Sequence, residues 1–321
     1  MHPTPAVLIS EVGPRDGLQS VARTMPTAAK LAWISALHAA GLREIEVGSF
    51  VPARLLPQMA DTAAVVAHAL TLPGLAVMAL VPNLRGAEAA LAAGVHKLTI
   101  PVSASAAHSL ANVRKTREQM VAEVRAIVAL RNDTAPQVRI EAGIATAFGC
   151  TLQGRVEEDD VVRLATQVIE AGADESGLSD TTGMANPAQV RRLFTRVFAA
   201  IGERTGAAHL HNTRGLGLAN CLAAYDVGVR GFDASLGGLG GCPYAPGASG
   251  NVVTEDLVYM FESMGLHTGI DLQRLVAARG LLLQGLPGEP LYGMTPEAGL
   301  GRSFVYADGR RPQAPAEGFA S

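Results

Sequence analysis

Along the chain, short apolar runs of strand length alternate with segments whose apolar residues recur every three or four positions. These are the two periods that separate strand from helix. Strands are predicted over residues 7–12, 44–50, 75–81, 97–102, 138–145, 173–178, 207–211 and 231–236. The helical spacing predicts helices over 27–40, 57–70, 85–93, 113–130, 157–171, 187–201, 218–227 and 254–264. Met120, Val124, Ile127 and Val128 mark the fourth of these, and Val190, Leu193, Phe194 and Val197 the sixth. Eight strand–helix units joined by short loops predict an α/β fold of the (β/α)8 TIM barrel type. A doubly wound open sheet is the alternative, because alternation alone does not show closure. A further helical pattern over 272–283 leads into a Pro/Gly-rich end. The expected organisation is a barrel over 1–265 and a C-terminal helical extension and tail over 266–321 that caps it.

Barrels of this kind build their sites at the carboxyl ends of the strands, so polar residues there carry the information. Predicted strand one runs into Arg15-Asp16, strand two carries Glu46 and Ser49, and strand six runs into Ser179-Asp180. His209 and His211 fall on strand seven, and the loop after strand eight holds Cys242 and Asn251. On a strand, two histidines one residue apart share a face roughly 7 Å from each other, close enough to hold one metal ion; on a helix they could not. Two hydrogen-bonded histidines on a half-buried strand are the plainer reading. Asp16 before Gly17 reads equally as a turn, and Asp180 as a helix cap. Glu46 lies between Ile45 and Val47, so it points into the barrel, where an unpaired carboxylate is costly. Arg15 on the neighbouring strand is its natural partner. An acid, two histidines and an amide oxygen make a mixed O/N set that suits Mg²⁺ or Mn²⁺ better than a closed zinc site. Gly215-Leu216-Gly217 imitates a dinucleotide loop, but Asn220 stands at its third glycine position.

Composition narrows the class. The chain has 321 residues, 48% of them hydrophobic, enough for a large core. A net charge of −3 without any polybasic run leaves no footprint for nucleic acid. No apolar run has the length of a membrane span, and the first residues lack the pattern of a secretion signal. Three cysteines, Cys150, Cys221 and Cys242, are an odd number in a core-bearing chain, which points to a reducing cytoplasm rather than a disulfide framework. Two of them are expected to pack and one to react. The four glycines in 237–241 suit a loop that closes over a substrate.

Four stretches carry a resemblance. They are Glu11-Val12-Gly13-Pro14-Arg15-Asp16-Gly17-Leu18-Gln19, Glu46-Val47-Gly48-Ser49-Phe50-Val51 with Pro57-Gln58-Met59-Ala60-Asp61, His209-Leu210-His211-Asn212-Thr213, and the run from Gly238 to Asn251 around Cys242. Together they resemble the 3-hydroxy-3-methylglutaryl-CoA lyase family of metal-dependent barrel lyases, over about residues 9–271. The resemblance implies a carbon–carbon lyase acting on that acyl-CoA or a similar 3-hydroxyacyl-CoA. It would release acetyl-CoA with acetoacetate or a related keto product, in a protein expected to be a homo-oligomer. A lyase for another branched 3-hydroxyacyl-CoA or a Claisen-condensing synthase is the alternative within enzymes. A silent acyl-CoA-binding protein is the alternative outside them.

Residue by residue, the resemblance implies Asp16, His209, His211 and Asn251 as ligands of a divalent cation, Mg²⁺ or Mn²⁺. It implies Arg15 as the group that stabilises the thioester enolate, Glu46 and Asp180 as functional carboxylates, and Cys242 as a general acid. Gln19, Ser49 and Arg214 are expected to read the substrate. Three stretches depart from the family: Ser20-Val21-Ala22-Arg23, Asn212-Thr213-Arg214, and the segment 149–154 that follows Cys150 without Pro-Tyr-Glu. None removes a ligand or Arg15, so the departures bear on the substrate rather than the reaction. Arg214 either meets a carboxylate of the substrate or is solvated.

Overall fold

A computed structural model describes residues 5–240 and 250–313. Eight parallel strands close into a barrel in sequential order: β1 (Leu8–Glu11), β2 (Glu44–Ser49), β3 (Ala76–Leu80), β4 (Lys97–Ser103), β5 (Arg139–Ala145), β6 (Ser176–Ser179), β7 (Thr205–His209) and β8 (Gly231–Ala234). Pairing of Leu8 with Gly231 and of Glu11 with Ala234 shuts the sheet. The open-sheet alternative is thereby excluded.

Helices α1 (Thr27–Ala39), α2 (Thr62–Ala69) and α3 (Leu84–Ala93) follow the first three strands. The pair α4 (Ala106–Val113) and α5 (Arg117–Thr134) follows β4. Next come α6 (Glu158–Glu170), α7 (Pro187–Ile201), α8 (Gly217–Asp226) and α9 (Thr254–Ser263), one after each remaining strand. Beyond the barrel, α10 (Leu272–Gly285) lies against α1 and α11 (Met294–Ala298) against α9. Residue Gly285 sits so close to Met25 that any Cβ there would fall 2.3 Å from the methionine methyl carbon.

Several boundaries differ from the periodicity: residues 57–70 divide into a 3-10 turn (Pro57–Met59) and α2, β6 begins at Ser176, and β8 ends at Ala234. Residues 113–130 do not form one helix. Arg114 adopts a left-handed conformation (φ 56°) that ends α4. Thr116 then starts α5 with a capping box to Gln119. Strand β7 stops at His209, and His211 instead bridges to Asn251.

Alternation along the strands separates two environments. Ile45, Leu98, Ile140, Ile144 and Phe232 are fully buried against the helices, each such side chain stabilising the fold by ~1.5–3 kcal/mol. Many inward positions, Glu46, Thr99, Glu141, His209 and Asp233 among them, are polar where branched apolar layers are usual. Below the rim, Lys97 Nζ lies 2.7 Å from Glu141 and 2.9 Å from Glu175, with Glu44 at 3.8 Å. Room for the Glu141 carboxylate comes from its neighbours: a Cβ at Gly177 would lie 2.5 Å from it and one at Gly206 2.8 Å. This buried charge layer leaves the upper barrel open as a cavity.

Candidate active site

The cavity, of about 810 Å³, opens at the carboxyl ends of the strands, within the range of small-molecule sites. Its chemistry begins where β1 ends. The N–H groups of Arg15, Asp16 and Gly17 all converge on the carbonyl of Val12, 2.7–3.3 Å away, in one π-helical turn over Gly13–Gly17. Such turns are frequent at functional sites because they redirect side chains. Here the turn aims Arg15 and Asp16 into the cavity. The Glu11 carboxylate ties the turn down: it accepts from Gly13 N (3.0 Å), Leu236 N (2.9 Å) and the Thr254 hydroxyl (2.7 Å).

Arg15 is held from two sides. Its Nε donates to Glu46 and its Nη1 to Asp16 at 2.5 Å. Glu46 also accepts from the Thr99 hydroxyl of β4. Burial raises the affinity of Glu46 for a proton, against the pull of Arg15 and the Thr99 bond. Burial would likewise push Asp16 up, but Arg15, His209, His211 and the Asn251 amide together bring it down to about 2. Asp16 is therefore an anion at neutral pH.

The register of β7 on β8 sets His209 beside Asp233. Nδ1 of His209 lies 3.1 Å from Asp233 Oδ2, so Nε2 faces the cavity, 3.9 Å from Asp16 and 3.2 Å from Nε2 of His211. Burial lowers the basicity of His209, while the Asp233 bond and Asp16 raise it by more. His211 is pushed down to about 4 by burial and by His209, so its ring is neutral. Asn251 is delivered to the same place by paired backbones: Asn212 N donates to Gly250 O and Val252 N to Leu210 O. Its amide donates to Asp16 at 2.7 Å. A Cβ on Gly240 would fall 2.5 Å from that amide, which explains a glycine there.

Ligand atoms of Asp16, His209 and His211 all lie within 4.8 Å of one another. Two buried polar atoms of the set, Asn251 Oδ1 and His211 Nδ1, lack hydrogen-bond partners among the described residues. An anionic carboxylate, two imidazoles meeting nitrogen to nitrogen and an orphaned amide oxygen are what a divalent cation would satisfy. The residues fit one.

Other expected residues fall in different places. Gln19 and Ser49 line the cavity. Gln19 donates to Asp16 Oδ1 at 3.0 Å, and the buried Ser49 hydroxyl has no partner among the described residues. Asp180 lies behind the wall: its carboxylate accepts from Met184 N (2.8 Å) and Ala185 N (3.1 Å) while Ser179 and Thr181 line the cavity. Burial pushes it up to about 6, its two backbone donors offsetting only part of that. Arg214 is exposed and outside the cavity lining, its Nη1 bound to the carbonyls of Thr182 and Gly183. Asp180 and Arg214 thus grip the same loop. Cys242 lies outside the described residues, while Cys150 and Cys221 are buried free thiols. Burial pushes the Cys221 thiol far up, so it is inert. Sequence reasoning missed Asp233 and Thr99. The signal for Asp233 was present: an acid between Phe232 and Ala234 in a strand is the pattern that singles out Glu46.

A closed parallel barrel with an Arg–Glu–Asp set and a histidine pair at its carboxyl rim defines a barrel enzyme with a candidate metal centre. The HMGL-like family model matches residues 6–282. The (R)-citramalyl-CoA lyase of Chloroflexus aurantiacus is 41% identical over 305 residues, covering 92% of this chain and 95% of that protein. A hydroxymethylglutaryl-CoA lyase of Bacillus subtilis is 39% identical, covering 89% and 94%. The structure of an HMG-CoA lyase from Acinetobacter baumannii, in complex with coenzyme A and 3-methylmalate, superposes with a TM-score of 0.87 at 40% identity, covering 95% and 99%. The chain belongs to the HMGL-like family and is a lyase of the hydroxymethylglutaryl-CoA lyase type. Among the described residues no helix is long and apolar enough to cross a membrane.

Proposed function

We propose that this protein is a divalent-metal-dependent lyase that cleaves a branched 3-hydroxyacyl-CoA, 3-hydroxy-3-methylglutaryl-CoA or a close relative, to acetyl-CoA and a keto acid. The observation that carries this reading is the convergence of Asp16, His209 and His211 beside Arg15 in one cavity, with Asn251 bonded to Asp16 behind them. Those four residues would hold the ion, which supplies a Lewis acid that lowers the pKa of a hydroxyl brought to it.

The chain's own residues account for the rest. As the 3-hydroxyl gives its proton to water and becomes a carbonyl, the electron pair of the C2–C3 bond passes to the thioester and charge develops on its oxygen. Arg15 has Nε and Nη1 committed to carboxylates, which leaves Nη2, without a partner among the described residues, to donate to that oxygen. A fixed donor of this sort accelerates such steps because it needs no reorganisation. Glu46 orients the guanidinium, and Asp180 shapes the loop between Ser179 and Ala185. The Cys242 thiol would donate the proton that C2 takes up, and Gln19 and Ser49 would contact the acyl group.

Two substrates are separated by their products. The likeness to a citramalyl-CoA lyase favours testing the shorter 3-hydroxy-3-methylsuccinyl thioester beside the glutaryl one. Purified protein with Mg²⁺ or Mn²⁺ would be incubated with each and the products identified by mass. Pyruvate marks the first, acetoacetate the second. No acetyl-CoA from any 3-hydroxy-3-methylacyl-CoA would overturn the reading. Retained turnover after chelation would overturn the metal requirement.

A further inference from the structure

The cavity is electrically divided. Its floor carries Glu46, Glu141 and Asp233, and the one guanidinium there, Arg15, is already committed to two carboxylates. Positive charge without a partner lies only at the mouth, among the described lining residues, as Arg54 in the loop after β2 and Arg114 between α4 and α5. Both are exposed, and neither side chain has an ion pair or hydrogen bond among the described residues. Lys115 beside them is held by Glu123. Arg114 sits in the left-handed region (φ 56°) at the end of α4, where glycine or asparagine is the ordinary choice. Leu55, next to Arg54, is 63% exposed at the same edge. The chain as a whole is acidic, so this pair is a local feature and not part of a basic surface.

We propose that Arg54 and Arg114 form a subsite for the phosphate groups of the substrate's coenzyme A handle, which would leave the cavity over the β2–β4 side of the rim. The proposal rests on the reading that the substrate is a CoA thioester. A pyrophosphate and a ribose phosphate are the multiply charged part of such a molecule, and guanidinium forks match phosphate oxygens in pairs. On the floor the carboxylates already hold the cations, Glu46 with Arg15 and Glu141 with Lys97, so the two mouth guanidiniums are the ones open to phosphate.

Arg54→Ala, Arg114→Asn and the double variant would be assayed with the CoA thioester, its 3′-dephospho form and the pantetheine thioester, which carries no phosphate. Asparagine tolerates the left-handed conformation better than arginine, so the second variant is not expected to unfold. With the CoA thioester, KM should rise roughly tenfold per guanidinium lost and depend less on salt. With the pantetheine thioester, the variants should match the unaltered protein. An effect that vanishes with the dephospho form supports contact with the 3′-phosphate, and one that persists supports contact with the pyrophosphate. An unchanged KM for the CoA thioester, or equal losses on both thioesters, overturns the subsite. If the unaltered protein cleaves no thioester, the lyase reading fails on its own. Calorimetry with coenzyme A and pantetheine then decides the subsite by the same comparison.

Discussion

Asp233 on β8 lies 3.1 Å from Nδ1 of His209 on β7, side by side in the barrel register. A carboxylate can only accept there, so the proton stays on Nδ1 and Nε2 is left free toward Asp16 and His211. Outer partners of this kind set the tautomer and basicity of a ligating imidazole. Replacing Asp233 with Asn is expected to weaken Mn²⁺ binding about 10- to 100-fold, read by calorimetry, with the melting temperature little changed. Unaltered affinity would show that the pair does not serve the ion.

Arg15 and Glu46 make a buried pair, and their removal has separable effects. Arg15→Met is expected to lower turnover by about 10²–10³-fold while Mn²⁺ still binds. It also leaves Glu46 buried without its cation, which costs stability of ~3 kcal/mol. Adding Glu46→Gln should restore the melting temperature but not the turnover. Loss of metal binding in the single variant would instead make Arg15 a structural support of the ion.

Glu11 lets the pH dependence of stability be signed. Burial raises its pKa from 4.5 to about 8; its three donors oppose this, and Glu255 nearby adds to it. Between those values the folded protein keeps a proton that the unfolded chain has lost, so stability falls as pH rises from about 4.5 to about 8. Below that window the contribution is fully present, and above it no more is lost. Glu11→Gln keeps the acceptor for Gly13 and Leu236 and should flatten this slope in denaturant melts taken across the window. An identical slope in the variant would refute the assignment.

Cys242 is testable although it lies outside the described residues. Cys242→Ser is expected to slow turnover by about 10²–10⁴-fold, with unchanged melting temperature and Mn²⁺ affinity. Full activity in the serine variant would remove the thiol from the reaction.

Arg214 distinguishes reading the substrate from holding a loop. Bound to the carbonyls of Thr182 and Gly183, it should, as Arg214→Ala, lower stability by ~1 kcal/mol and leave KM unchanged. A rise in KM would return Arg214 to the substrate.

By itself the sequence determined the eight strand–helix units, because periods of two and near 3.6 are written in the order of apolar residues. It also singled out Glu46 as an inward carboxylate in need of Arg15, a pairing that follows from the cost of burying charge. Asp16, His209, His211 and Asn251 were legible as a set through their motifs and their strand-end positions. Closure of the sheet was decided only in three dimensions, since β1 pairs with β8 across more than two hundred residues and local pattern carries no such information. The same distance hid the partners that tune the site. Asp233 reaches His209 only through the β7–β8 register. Asp180 turned from the cavity because two backbone N–H groups compete for it, and Arg114 broke a helix that apolar spacing predicted as continuous. Contacts among neighbours in sequence follow from local chemistry; those that set direction and protonation depend on which strands meet.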